Sequence, residues 1–222
     1  MPIPIACVAF PSLVWQRVAE KDGAHAMTDS VNRRYFERDD SRLLAKGLNP
    51  AAPVPVSASN PDGWQQNGGI VDPQPTRLAP PEPVLRFAGS GHFGSAKLGN
   101  WWLRFSEYQR MERIADRFRQ PVGYIIRQLC FIPEEWSRMD VMVQAKLIAP
   151  LDAWKGVGNI VTVDKGDKGG DYCMLPDYFG ERPAEQLYIP GLASETVCRE
   201  SLFIVHAGFL PSSYSSFFVH RA

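Results

Sequence analysis

Short runs of apolar and β-branched residues predict strands at several points along the chain. They fall at 33–38, where Tyr35 and Phe36 favour a pleated backbone, and at 84–87, 101–105, 123–129, 141–148, 160–163, 186–189 and 202–206. A helical period appears in only one long segment. There Tyr108, Met111, Ala115 and Phe118 share a face, and Glu107, Arg110, Arg113 and Arg117 lie largely elsewhere. Ser106, with Gln109 three residues on, makes a capping box that predicts the start of this helix, and Pro121 stops it. Shorter helices are expected over 13–20 and from a cap at Asp39, Asp40 or Ser41 through Lys46, with Gly47 at a left-handed end. A few helices early, then mostly strands, reads as an α+β fold.

Residues 50–83 break the pattern. Nine of the 19 prolines fall here among Ser, Asn, Gln and Gly, which predicts a long loop rather than helix or interior strand. Gly89, Gly91 and Gly94 form a second glycine-rich stretch. It lacks the spacing of a Walker loop or a dinucleotide fingerprint, so a turn is the simpler expectation. No internal repeat is present.

The 222 residues suffice for one ordinary domain, and 45% apolar content supplies a core. With 24 basic and 24 acidic side chains, the chain has no broad electrostatic footprint for nucleic acid. Cys7, Cys130, Cys173 and Cys198 form no C-x-x-C pair and are expected to be mostly free thiols. His25, His92, His206 and His220 lack metal-ligand spacing, so no metal site is predicted. A G-x-S-x-G nucleophile elbow is absent. No stretch approaches the length of a membrane helix, and the proline-containing N-terminus is a poor cleaved signal.

One stretch carries more information: Tyr35-Phe36-Glu37-Arg38-Asp39-Asp40-Ser41-Arg42, followed by a short predicted helix closed by Gly47. It resembles the opening of the ADP-ribosyltransferase toxins of the cholera and pertussis type. In that family an Arg-x-Asp-Ser-Arg segment ends the first strand, and its first arginine holds the NAD phosphates. Later segments follow the same order. Gly99-Asn100-Trp101-Trp102-Leu103-Arg104-Phe105-Ser106 precedes a helix, Gly123-Tyr124-Ile125-Ile126 is similar to a Gly-Tyr-Ile-Tyr strand, and the stretch from Leu151 to Gly156 resembles the approach to the catalytic loop. Finally Glu185 stands where a polar loop enters a strand ending in Ile189-Pro190.

The resemblance implies an ADP-ribosyltransferase-like split β-sandwich with short N-terminal helices. Residues 1–30 would be an extension and 31–222 one catalytic-type domain. It implies Glu185 as the catalytic carboxylate. Arg38, Ser106 and Trp102 would be the residues that bind NAD as cosubstrate. It further implies a bacterial effector, cytoplasmic before export, that is delivered into a target cell. There it would move ADP-ribose onto a protein acceptor, with an immunity or chaperone protein as a further partner. The chain departs from the pattern twice. No Ser-Thr-Ser precedes the helix, and Pro183 stands two before Glu185 where the family has Glu or Gln. Two alternatives therefore stay open: an NAD glycohydrolase of the same fold, and a non-catalytic interaction or structural protein that uses the Pro-rich segment.

Overall fold

A computed structural model describes residues 29–53, 63–163, 172–173 and 177–210. The helix expected over 13–20 lies outside them. Two short helices come first: α1 (Arg33–Phe36) and α2 (Ser41–Ala45). Next come β1 (Leu48–Pro53), β2 (Trp64–Gln66), β3 (Gln74–Leu78) and β4 (Pro83–Ala88), a 3-10 turn over Ser90–Leu98, and β5 (Trp101–Arg104). Helices α3 (Phe105–Phe118) and α4 (Val122–Leu129) follow. The chain then adds β6 (Val141–Leu147), β7 (Leu151–Val157), β8 (Thr162–Val163), β9 (Tyr172–Cys173), β10 (Glu185–Tyr188), α5 (Thr196–Arg199) and β11 (Leu202–Phe209).

The architecture is α+β, built on one seven-stranded antiparallel sheet ordered β11-β6-β4-β5-β10-β7-β3. The pairs β1-β2 and β8-β9 stand apart from it. A second large sheet, needed for the expected sandwich, is not among the described residues. Both faces of the main sheet are instead covered locally. Strand residues Leu85, Leu103 and Met142 pack against Tyr108, Met111 and Ile114 of α3 and Ile125, Ile126 and Leu129 of α4. On the opposite face Trp102, Val143, Ala145, Ala153 and Leu187 pack with Ile189, Leu192 and Cys198.

Three sequence expectations give way to tertiary contacts. Residues 33–36 are helical, not a strand, because Tyr35 packs on the core while Phe36 stacks on Trp154 with ring centroids 4.5 Å apart. An alternating strand would send these neighbours to opposite faces. Residues 122–129 are helix α4, not a strand. Ile125, Ile126 and Leu129 also fit a helical stripe, and α3 gives that stripe a partner. The Pro-rich segment holds β1, β2 and β3; β3, with Pro75, is an edge strand of the sheet, where a missing N–H costs least. Helix α3 begins one residue before the predicted capping box. Arg104 is its N-cap, no side chain caps it, and Ser106 sits exposed in the first turn.

The sheet is laced to the N-terminal segment by one amide. Asn32 is fully buried; its Nδ2 donates to Asp152 O at 2.8 Å and Pro190 O at 2.9 Å, and its Oδ1 accepts the Asp152 N–H at 2.8 Å. The side chain thus acts as an extra peptide group between β7 and the chain leaving β10. Asn32→Ala would strand three buried backbone groups and is expected to destabilise the fold by about 3 kcal/mol in urea unfolding. A loss below ~0.5 kcal/mol would show that water replaces the amide.

Candidate functional site

The central strands part company. Strand β4 pairs with β5 only at Val84–Arg104 and Leu85–Leu103, although β4 stays paired with β6 through Ala88 and β5 stays paired with β10 through Trp101. The sheet therefore opens beyond Leu85. A cavity of about 360 Å³ lies at this opening. Its lining includes Gly47, Gly68 and Gly69 from the N-terminal segments and Phe87, Trp101 and Trp136. Cys130, Phe131 and Gln186 also line it, and a smaller hollow of about 50 Å³ shares Arg86, Cys130 and Gln186 and reaches in to Trp102, Leu103 and Ile126.

Arg86 occupies the fork. Its Nε donates to Ala96 O at 2.6 Å and its Nη1 to Trp101 O at 2.9 Å. A Cβ on Gly99 would fall 1.9 Å from the Arg86 Cζ, so only glycine lets the guanidinium lie there. Burial pushes the Arg86 pKa down, and no carboxylate pairs with it among the described residues. A half-buried cation held on two carbonyls is only partly compensated and favours an anion beside it. The glycine part of the lining is built by backbone contact. Gly47 and Gly69 both have left-handed φ, and a Cβ at 69 would lie 2.2 Å from the Lys46 carbonyl carbon.

Gln186 reaches the cavity from the neighbouring strand. Its Nε2 donates to Cys130 O at 3.0 Å. Its amide oxygen has no protein donor among the described residues. The loop before it is pinned to α3. Glu107, buried in the first turn, accepts hydrogen bonds from Arg182, from Arg110 Nη2 at 2.9 Å and from the Glu185 N–H at 3.2 Å. Arg110 also donates to the carbonyls of Arg182 and Pro183, both at 3.2 Å. Burial pushes the Glu107 carboxyl up, but the hydrogen bonds from Arg182 and Arg110, with the Arg110 charge, outweigh it and hold the group below its ordinary range.

The residues singled out from sequence are dispersed. Arg38 is exposed and forks onto Asp40 at 3.0 and 2.8 Å. The rest of its motif is also engaged locally: Ser41 accepts from Trp154 Nε1 at 2.9 Å, and Arg42 pairs with Asp72 at 3.1 Å. Ser106 is exposed on α3, and Trp102 is buried in the core with its Nε1 on Gly99 O at 2.8 Å. Glu185 lies 3.4 Å from Lys155 and, by strand alternation, faces away from Gln186. Glu181, a carboxylate in the loop before β10, pairs with Arg117 at 2.7 Å. Of these, only Trp102 touches the opening, through the smaller hollow. The side chain of His92 lies outside the described residues. Arg86 and Gln186 were not singled out from sequence. The available signal was a lone arginine inside the apolar strand Val84-Leu85-Arg86-Phe87.

Cys130 and Cys198 are free and buried. Burial pushes the Cys130 thiol up, so it is a poor nucleophile despite lining the cavity. Among the described residues no group of three or more His, Cys, Asp or Glu could hold a metal, and no helix is long and apolar enough to cross a membrane.

No protein-family model and no curated protein matches the chain. A solved structure, Tne2 in complex with Tni2, is similar at a TM-score of 0.35 and 13% identity, over 63% of this chain and 93% of that one. A likeness so slight carries no argument about fold or function.

The lowered Glu107 pKa fixes the sign of a pH effect. Its stabilisation is complete above the ordinary glutamate value of about 4.3 and fades as pH falls through the lower folded-state value. Glu107→Gln is expected to cost about 2 kcal/mol near neutral pH. The gap from wild type should close in acid, as read by thermal unfolding at about pH 7 and about pH 3. A gap that is constant or widens in acid would refute the assignment.

Proposed function

We propose that the cleft binds NAD and that the protein breaks the bond between nicotinamide and ribose. The observation that carries this reading is Arg86, a half-buried guanidinium with no carboxylate partner among the described residues, at the edge of a cavity that also carries four aromatic side chains. A ligand that satisfies the site brings negative charge for Arg86 and flat rings for Phe87, Trp101, Phe131 and Trp136. A dinucleotide with a central diphosphate has both. The cavity is within the range of small-molecule sites, large enough for part of such a ligand.

In this reading the diphosphate lies on Arg86 and the nicotinamide ribose lies beside Gln186. The C1′–N bond breaks, its electron pair leaves with the nicotinamide nitrogen, and the sugar becomes cation-like. The free amide oxygen of Gln186 presents the negative end of a dipole to that cation. A water oxygen then bonds to C1′ and loses its proton to solvent, giving ADP-ribose. Hydrolysis is preferred over transfer because, among the described residues that line the cavity, no Asp or Glu stands ready to activate a protein acceptor. Transfer of ADP-ribose to a target protein is the second reading, favoured by Glu185, which stands next to Gln186 at the strand entry. Either activity would make the chain a toxic effector in a target cell, as the resemblance of its segments implies. The cell that makes it would then need a neutralising partner.

Arg86→Gln is expected to weaken NAD binding at least 100-fold, read by calorimetric titration. Gln186→Ala is expected to lower kcat for nicotinamide release about 100-fold with a small change in KM. Glu185→Ala separates the two acceptors: it spares release if water is the acceptor and abolishes protein labelling if transfer occurs. Wild-type protein that neither binds NAD nor releases nicotinamide would overturn the proposal.

A further inference from the structure

Between α4 and β6 the chain forms an arch over residues 130–140 that supplies Phe131, Ile132, Trp136, Ser137 and Met139 to the cavity. Its two ends are strained. Phe131 (φ 57) and Met139 (φ 55) adopt left-handed backbone that bulky side chains avoid. Such conformations persist only where the surroundings enforce them, and they gather at ligand clamps. The enforcement here is Arg127, an 8% exposed side chain of α4. Its Nη1 donates to Ile132 O at 3.4 Å and its Nη2 to Ser137 O at 2.8 Å, near the two ends of the arch. The Ser137 hydroxyl in turn accepts the Met139 N–H at 3.1 Å.

This braced arch holds one large side chain outward. Trp136 is 48% exposed although it lines the cavity, and its indole stacks on no aromatic ring among the described residues. Its edge reaches the glycine part of the lining: a Cβ on Gly68 would lie 3.4 Å from Trp136 Cη2. A rigid indole left half-wet at a cavity mouth has a ring face free for a ligand.

We infer that Trp136 is the outer ring platform of the cleft and sets its preference for a ligand with a second aromatic ring. This rests on the NAD reading above. With the nicotinamide ribose beside Gln186 and the diphosphate on Arg86, the ring at the mouth is the adenine. Stacking on an indole tolerates ring identity, so the selectivity is for having an adenine-sized ring rather than for its edge.

The test compares nicotinamide release from NAD and from nicotinamide mononucleotide, which has the same scissile bond but no adenine. Wild type should prefer NAD. Trp136→Ala should lower kcat/KM for NAD about tenfold, mainly through KM, and leave the mononucleotide unchanged. Trp136→Phe should keep most of the preference. An equal loss on both substrates would mark a structural role, and no loss would mark none; either overturns the inference while leaving NAD cleavage intact. Wild type inactive on both substrates and unable to bind NAD would overturn both readings.

Discussion

The opening of the sheet at Arg86 is the constraint on which the site depends. An antiparallel pair that starts at Val84–Arg104 would ordinarily continue, since each further rung satisfies two buried backbone groups. Here the guanidinium takes over part of that work by donating to Trp101 O and Ala96 O. The strands can separate without leaving these carbonyls bare. The wedge leaves a charge with no counter-ion among the described residues, and that is the feature a bound anion would relieve.

Both sides of the fork are held by polar groups buried elsewhere. Asn32 ties β7 to the chain beyond β10 on one side of the molecule, and Glu107 with Arg110 ties the loop before β10 to α3 on the other. Strand β10 is thereby fixed at both its entry and its exit. It presents Gln186 to the cavity and Glu185 to Lys155. Aligned this way, adjacent residues of one strand have separate environments, which is why the choice between amide and carboxylate chemistry is sharp.

The arch bearing Trp136 adds the same logic at the mouth. Left-handed Phe131 and Met139 would relax in an isolated loop; Arg127 prevents it by bonding to carbonyls near both ends. Strain, a braced loop and an exposed indole coincide where the cavity meets solvent.

Much of the fold was legible in the sequence. The α+β class, the strands near 84–87, 101–105, 141–148, 186–189 and 202–206, the body of helix α3 and the glycine end at Gly47 follow from local period and backbone preference. The short apolar run at 123–129 did not decide between helix and strand, because only α3 supplies the partner that selects a stripe over alternation. Tyr35 and Phe36 favour a strand locally, yet the core contact of Tyr35 and the stack of Phe36 on Trp154 are made from one turn of helix, not from the opposite faces of a strand. The site was least legible. Arg38, Ser106, Trp102 and Glu185 are ordered along the chain as in a known family, but order does not fix which side chains converge. That depends on where β4 leaves β5 and on which face of β10 meets the gap; β4 and β5 pair residues about 20 positions apart, and β10 pairs with β5 across more than 80.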